Sequence, residues 1–180
     1  VGDSFTFGDE VSDHETMPAH LEELSGHKVI NGGVFGYGID QMVLRAERLA
    51  SIYHPRLIIL SFIPGDVERA ERLISAGVPK PYFVVEDSRL VLRNFPPPAR
   101  ESLHLNSKLD WFREVFGFSY LMHSVMIRAN KDYWHGGALQ NKAAHSQGEE
   151  VSILLFKRLA SFAKEREINL FVVAQADRAI

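Results

Sequence analysis

The sequence predicts an α/β fold, a three-layer α/β/α sandwich around a mostly parallel sheet. Three observations predict it. Near-continuous apolar runs such as "RLIILSF" and "NLFVVAQ" alternate with amphipathic helical runs, the pattern of strands buried on both sides of a parallel sheet. The order reads strand, helix, strand, helix, strand, helix, insertion, helix, strand. Loops rich in Gly and small polar residues follow the first three strands, where such sheets bind their ligands.

Val1 reads as the end of a first strand. "DHETMPAHLEELSG" reads as a helix, with Asp and Thr as candidate caps, a Pro near its start and Gly26 as its stop. "HKVIN" is a short β-rich run. "IDQMVLRAERLASIY" places Ile39, Val43, Leu44, Ala46 and Ile52 on or near one helical face, and Pro55 breaks the chain after it. "RLIILSF" is a buried strand, and "DVERAERLISAG" a helix closed by Gly77. "PYFVVEDSRLVLRNFPPP" holds two β-rich runs around a polar turn, a hairpin, and Pro96 to Pro98 form a stiff connector. Residues 79–106 are too short to fold alone and read as an insertion over the core. "SKLDWFREVFGFSYLMHSVMIRA" is an aromatic-rich helix or helix pair with a kink at Gly117, and the polar stretch from Asn130 to Gly148 a loop. "EEVSILLFKRLASFAKEREI" is an amphipathic helix, and "NLFVVAQ" a second buried strand.

The 180 residues amount to one domain. A net charge of −3 argues against nucleic acid or an anionic membrane as the dominant partner. Acidic and basic residues interleave, as on solvated helix faces. The absence of cysteine excludes disulfides, a thiol nucleophile and thiolate metal sites, without fixing the compartment. No stretch approaches the roughly 20 apolar residues of a membrane helix. No histidine pair has a recognisable metal spacing, so neither a catalytic metal nor a cofactor is expected. His14, His20, His27, His54 and His123 read as surface or boundary residues.

The chemistry concentrates at the strand ends: Gly2-Asp3-Ser4, then "NGGVFGYG", then "FIPGDV". A serine at a strand-to-helix turn presents its hydroxyl in the open, and N–H groups at such turns point toward anions. Gly2 permits the close turn, and Asp3 can accept from nearby N–H groups. Ser4 is then a nucleophile or simply a helix cap, for which serine is a preferred residue. "GDSFTFG" lacks the Lys and the Gly spacing of a phosphate-binding P-loop.

Taken together, these three stretches resemble the SGNH, or GDSL, hydrolase superfamily. "VGDSFTFG" is similar to its first block, "VINGGVFGYGIDQ" to its second and "HPRLIILSFIPGDV" to its third, in the right order over residues 1–67. The resemblance implies a flavodoxin-like sandwich and a serine esterase acting on a small ester, with acylated carbohydrates and lipids among the candidates. It makes Ser4 the nucleophile and Gly36 the oxyanion-hole glycine, with Gly2, Asp3, Asn31 and Asp66 in support. The chain departs from the family twice. The third-block Asn, a side-chain donor to the oxyanion, is missing, and Gly65 beside Asp66 offers only its backbone there. Loss of one such donor costs about 10²–10³ in turnover.

The family also carries Asp-x-x-His after its last strand, which this chain does not reach. The expectation is therefore an incomplete domain, cut at the end of its first strand and continuing past Ile180 to the dyad. Asp132-Tyr133-Trp134-His135 has the spacing but precedes the late helix and strand, and is disfavoured on that ground. Phe112, Phe116, Phe118, Tyr120, Tyr133 and Trp134 either line an acyl or sugar pocket or belong to the core. Two further readings stand beside the esterase. One is a catalytically degenerate binding module of the same fold. The other is a flavodoxin-like nucleotide or response domain, which leaves Gly-Asp-Ser unexplained.

Overall fold

The structure, a computed structural model, describes residues 1–75, 78–98, 115–116, 118–134 and 144–175. It is α/β. Strands β1 (Leu57–Phe62) and β6 (Asn169–Ala174) pair in parallel, from Leu57 opposite Asn169 to Phe62 opposite Ala174. The start of the chain extends this layer on the other side of β1. The Val1 amine donates to the Ile59 carbonyl at 2.7 Å and Ser61 N–H donates back to Val1 O at 2.9 Å, while Gly2 forms a parallel bridge with Gly33.

Two helices cover the sheet. Helix α3 (Ile39–Tyr53) has the predicted bounds, but its inner face is Ile39, Met42, Val43, Ala46 and Ala50. Leu44 packs at the margin of the core, and Ile52 is exposed. Helix α6 (Gly148–Glu165) buries Val151, Leu155, Leu159 and Ala163, a row at four-residue spacing. Val151, Leu155 and Leu159 meet Ile58 and Leu60 of β1 in one core. Arg158 of α6 grips Glu47 of α3 with two bonds of 2.7 and 2.9 Å.

The remaining helices are α1 (Ser4–Phe7), α2 (Met17–Ser25), α4 (Pro64–Arg69) and α5 (Tyr120–Trp134). Thr16 caps α2, Pro18 lies in its first turn, and Gly26 ends it in the left-handed conformation, as predicted. A 3₁₀ turn at Asp13–Glu15 precedes it. Antiparallel pairs join β2 (Ile74–Ser75) to β3 (Val78–Pro79), and β4 (Tyr82–Glu86) to β5 (Arg89–Arg93). The β4–β5 hairpin matches the prediction. Asp87 and Ser88 make its two-residue turn with φ of 49° and 60°, the geometry that suits the twist of the flanking strands. Phe83 inserts into the core, with the Arg158 guanidinium 5.4 Å from its ring centre.

Four expectations need correction. "HKVIN" forms no strand; parallel pairing in this stretch is limited to Gly33, and Val29 N–H donates to the Glu22 carboxylate instead. The helix expected through Gly77 stops at Arg69. Tertiary bonds claim the chain after it: Ile74 is buried, Ser75 Oγ donates to Gly36 O at 2.8 Å, and Lys80 N–H donates to Leu73 O. Gly77 itself lies outside the described residues. Helix α5 starts at Tyr120 and runs through Trp134, so the stretch from Asn130 begins as helix and not as the expected loop. Gly117, residues 107–114 and the 99–106 part of the insertion lie outside the described residues. Strand β6 is not buried on both sides: Phe171 is 61% exposed, because among the described residues β1 is its only strand neighbour.

Candidate functional site

The three glycine-containing loops meet. Gly2 pairs with Gly33, Val34 N–H donates to Gly2 O at 3.1 Å, and a Cβ on Gly38 would lie 2.8 Å from the backbone of Arg69 and Ala70. Gly33 has to be glycine for this approach, since a Cβ would fall 2.3 Å from Phe7 N. Asn31 fastens the same junction. Its side chain donates to Phe7 O at 3.1 Å and accepts from Gly33 N–H at 3.0 Å.

Ser4 is the first residue of α1 and not its cap. Asp3 is the cap, accepting from Phe5 N–H at 3.0 Å. Ser4 is therefore released from the capping role, and its Oγ makes no hydrogen bond among the described residues. It is half-buried. The backbone N–H groups of Ser4, Gly36 and Gly65 likewise donate to no other described residue. Gly36 takes φ of +72°, a left-handed conformation, and its carbonyl is engaged by Ser75.

Asp3, the residue before Ser4, belongs to a charged cluster. Asp3 and Asp66 are fully buried. Asp66 accepts from Ile63 N–H at 2.9 Å at the start of α4, and from Arg69 Nη1 at 2.6 Å. Arg69 Nη1 also stands 3.7 Å from Asp3 Oδ2, an oxygen with no hydrogen bond. Burial pushes the Asp66 carboxyl up to about 6; the Asp3 charge adds to this, while the Ile63 N–H and Arg69 oppose it. The sequence reading offers Asp66 as a support and overlooks Arg69. A signal for it exists: Asp66 and Arg69 are three apart on one helix, within pairing reach.

At Gly65, where the family has Asn, an added Cβ would meet nothing closer than Ile63 Cδ1 at 3.9 Å. Asp132 stands in α5, its side chain is not among those described, and His135 lies outside the described residues. Phe112 also lies outside. Phe118 and Tyr120 are exposed and belong to no core among the described residues. His14, His20, His27 and His54 are exposed, and His123 is half-buried.

A second buried pair escapes the sequence reading. Asp40, in the first turn of α3, bonds the Lys80 ammonium, and Lys80 is 2% exposed. This pair ties α3 to the segment before the hairpin. Two surface hollows, one bordered by Gln147 and Lys157, the other by His54 and Arg166, lie elsewhere and include no residue of the Ser4 cluster. No helix among the described residues is long and apolar enough to cross a membrane. Comparison with protein-family models, curated proteins and solved structures finds no match to this chain.

Proposed function

We propose that this chain is a serine ester hydrolase of the SGNH type, built on a three-layer flavodoxin-like sandwich, acting on a small acyl ester. One observation carries the reading. The Ser4 hydroxyl and the N–H groups of Ser4, Gly36 and Gly65 are all without partners among the described residues, while the N–H groups of Phe5, Gly33 and Ile63 beside them are engaged. Nucleophilic acyl transfer needs one free hydroxyl and a set of free donors.

In this reading Ser4 Oγ forms a bond to the ester carbonyl carbon, and the π electron pair moves onto the carbonyl oxygen. The N–H donors stabilise that oxyanion. A histidine imidazole outside the described residues takes the Ser4 proton and passes it to the departing alcohol as the ester C–O bond breaks. Water then hydrolyses the acyl-enzyme by the same sequence. A second reading, a binding module of the same fold without turnover, is favoured by Gly65 in the Asn position.

A fluorophosphonate probe separates the two. We expect the full-length protein to be labelled at Ser4, located by peptide mass spectrometry, and to lose both labelling and p-nitrophenyl acetate hydrolysis in Ser4→Ala. Hydrolysis that survives Ser4→Ala rules out Ser4 as nucleophile. Absence of any labelling leaves the binding module.

A further inference from the structure

We propose that Arg69 is the side-chain donor to the oxyanion in place of the missing Asn, with Asp66 and Asp3 as its positioning residues. The proposal rests on the esterase reading above. Three observations carry it. The place where an Asn side chain would leave the backbone at Gly65 is open, with no atom nearer than 3.9 Å to an added Cβ. Arg69, one turn further along α4, brings a guanidinium to the nucleophile turn: it stands 3.7 Å from the carboxylate of Asp3, the residue before Ser4. A single nitrogen, Nη1, serves both carboxylates, and Nε and Nη2 make no hydrogen bond among the described residues.

A guanidinium carries five N–H donors in a rigid fork. One nitrogen held by Asp66 anchors the guanidinium, and the other donors stay available. The Arg69 side chain is 26% exposed, so its free edge has not been buried by the fold. As the Ser4 Oγ–carbon bond forms and the electron pair moves to oxygen, Arg69 donates a hydrogen bond and keeps its proton. The pair returns when the alcohol leaves. Arg69 therefore acts on the transition state, and its loss falls on kcat more than on KM.

The test compares the full-length protein with Arg69→Gln, Arg69→Lys, the double variant Arg69→Gln/Gly65→Asn, and Ser4→Ala. Each is followed by p-nitrophenyl acetate kinetics, the rate of fluorophosphonate labelling and thermal unfolding. We expect Arg69→Gln to lower kcat by about 10²–10³ with KM little changed. Arg69→Lys retains part of the rate. Gly65→Asn restores at least tenfold of it in the Arg69→Gln background without restoring melting temperature, which a merely structural role for Arg69 would not produce. Ser4-dependent hydrolysis that is indifferent to Arg69→Gln overturns the role of Arg69 and leaves the esterase reading intact. So does a loss of rate that tracks thermal stability and is not rescued by Gly65→Asn. A wild-type protein that neither hydrolyses the ester nor takes the probe overturns both.

Discussion

Replacing Asp40 with alanine removes the carboxylate that pairs with the Lys80 ammonium, in a place where Lys80 is 2% exposed and Asp40 fully buried. Burial pushes the Asp40 carboxyl up and the Lys80 ammonium down, in each case against the pull of the partner. Each charge is therefore held inside mainly by the other. Removing one partner leaves an uncompensated buried charge, and the expected loss is about 3–5 kcal/mol. For a chain of this size, about 2–4 °C of melting temperature goes with each kcal/mol, so the midpoint should fall by about 6–20 °C. The paired control is Asp40→Leu with Lys80→Met. Removing both charges together is expected to recover most of the loss, because well-packed apolar replacements of buried ion pairs are often neutral or stabilising. Part of the loss remains, since Asp40 also accepts from Gln41 N–H at 2.9 Å in the first turn of α3, where a negative charge is favoured. Urea unfolding followed by circular dichroism, fitted with a common slope, measures all three proteins. A loss below about 1 kcal/mol for Asp40→Ala would refute the reasoning, since the ammonium would then reach water and escape the penalty for an unpaired buried charge. A double variant as unstable as the single would refute it too, because the pair would then be held by packing rather than charge.

Three further outcomes follow from the same geometry. Gly33→Ala should destabilise the protein strongly, as its Cβ would press on backbone atoms of Phe7 and Thr6 at 2.3 and 2.6 Å, whereas Gly65→Ala should unfold at nearly the wild-type urea concentration. Leu155→Ala, at a fully buried position on α6, should lower the unfolding free energy by about 2–5 kcal/mol, and a smaller loss in urea titrations would place Leu155 at a site that collapses. Asp66 holds its proton more tightly in the folded chain, with the carboxyl at about 6 against 3.8. Its contribution to stability therefore declines as pH rises from about 4 to about 6, and Asp66→Asn should flatten that part of the profile. Urea midpoints across that pH range check this, and an unchanged slope in Asp66→Asn would assign the pH dependence to other groups.

Much of the fold is legible in the sequence because it is written in local periodicity. The α3 run has the 3.6-residue pattern, and its bounds agree with the structure. The β4 and β5 runs flank a two-residue turn of the kind that closes hairpins. The candidate site is legible for a similar reason: glycine and small polar residues directly after apolar runs mark three loops, and the contacts among Gly2, Gly33, Gly38 and Arg69 bring those loops together. Local pattern misleads where a distant partner prevails over it. The stretch after Arg69 has charges at helical spacing, yet it turns and then pairs as strand at Ile74–Ser75, with Ser75 Oγ donating to Gly36 O and Lys80 N–H donating to Leu73 O. "NLFVVAQ" has the composition of a strand covered on both sides, yet Phe171 is exposed, because composition does not say which neighbours a strand finds.

What the sequence determined by itself was the set of helices and strands with strong local patterns, and the presence of a serine in a glycine-flanked turn. Tertiary structure alone decided that Arg69 stands between two buried carboxylates, and that Lys80 closes on Asp40 across 40 residues. The physical reason is range. Capping, periodicity and turn geometry act over a few residues, whereas the partner of a buried charge is chosen by whichever distant segments the core brings together.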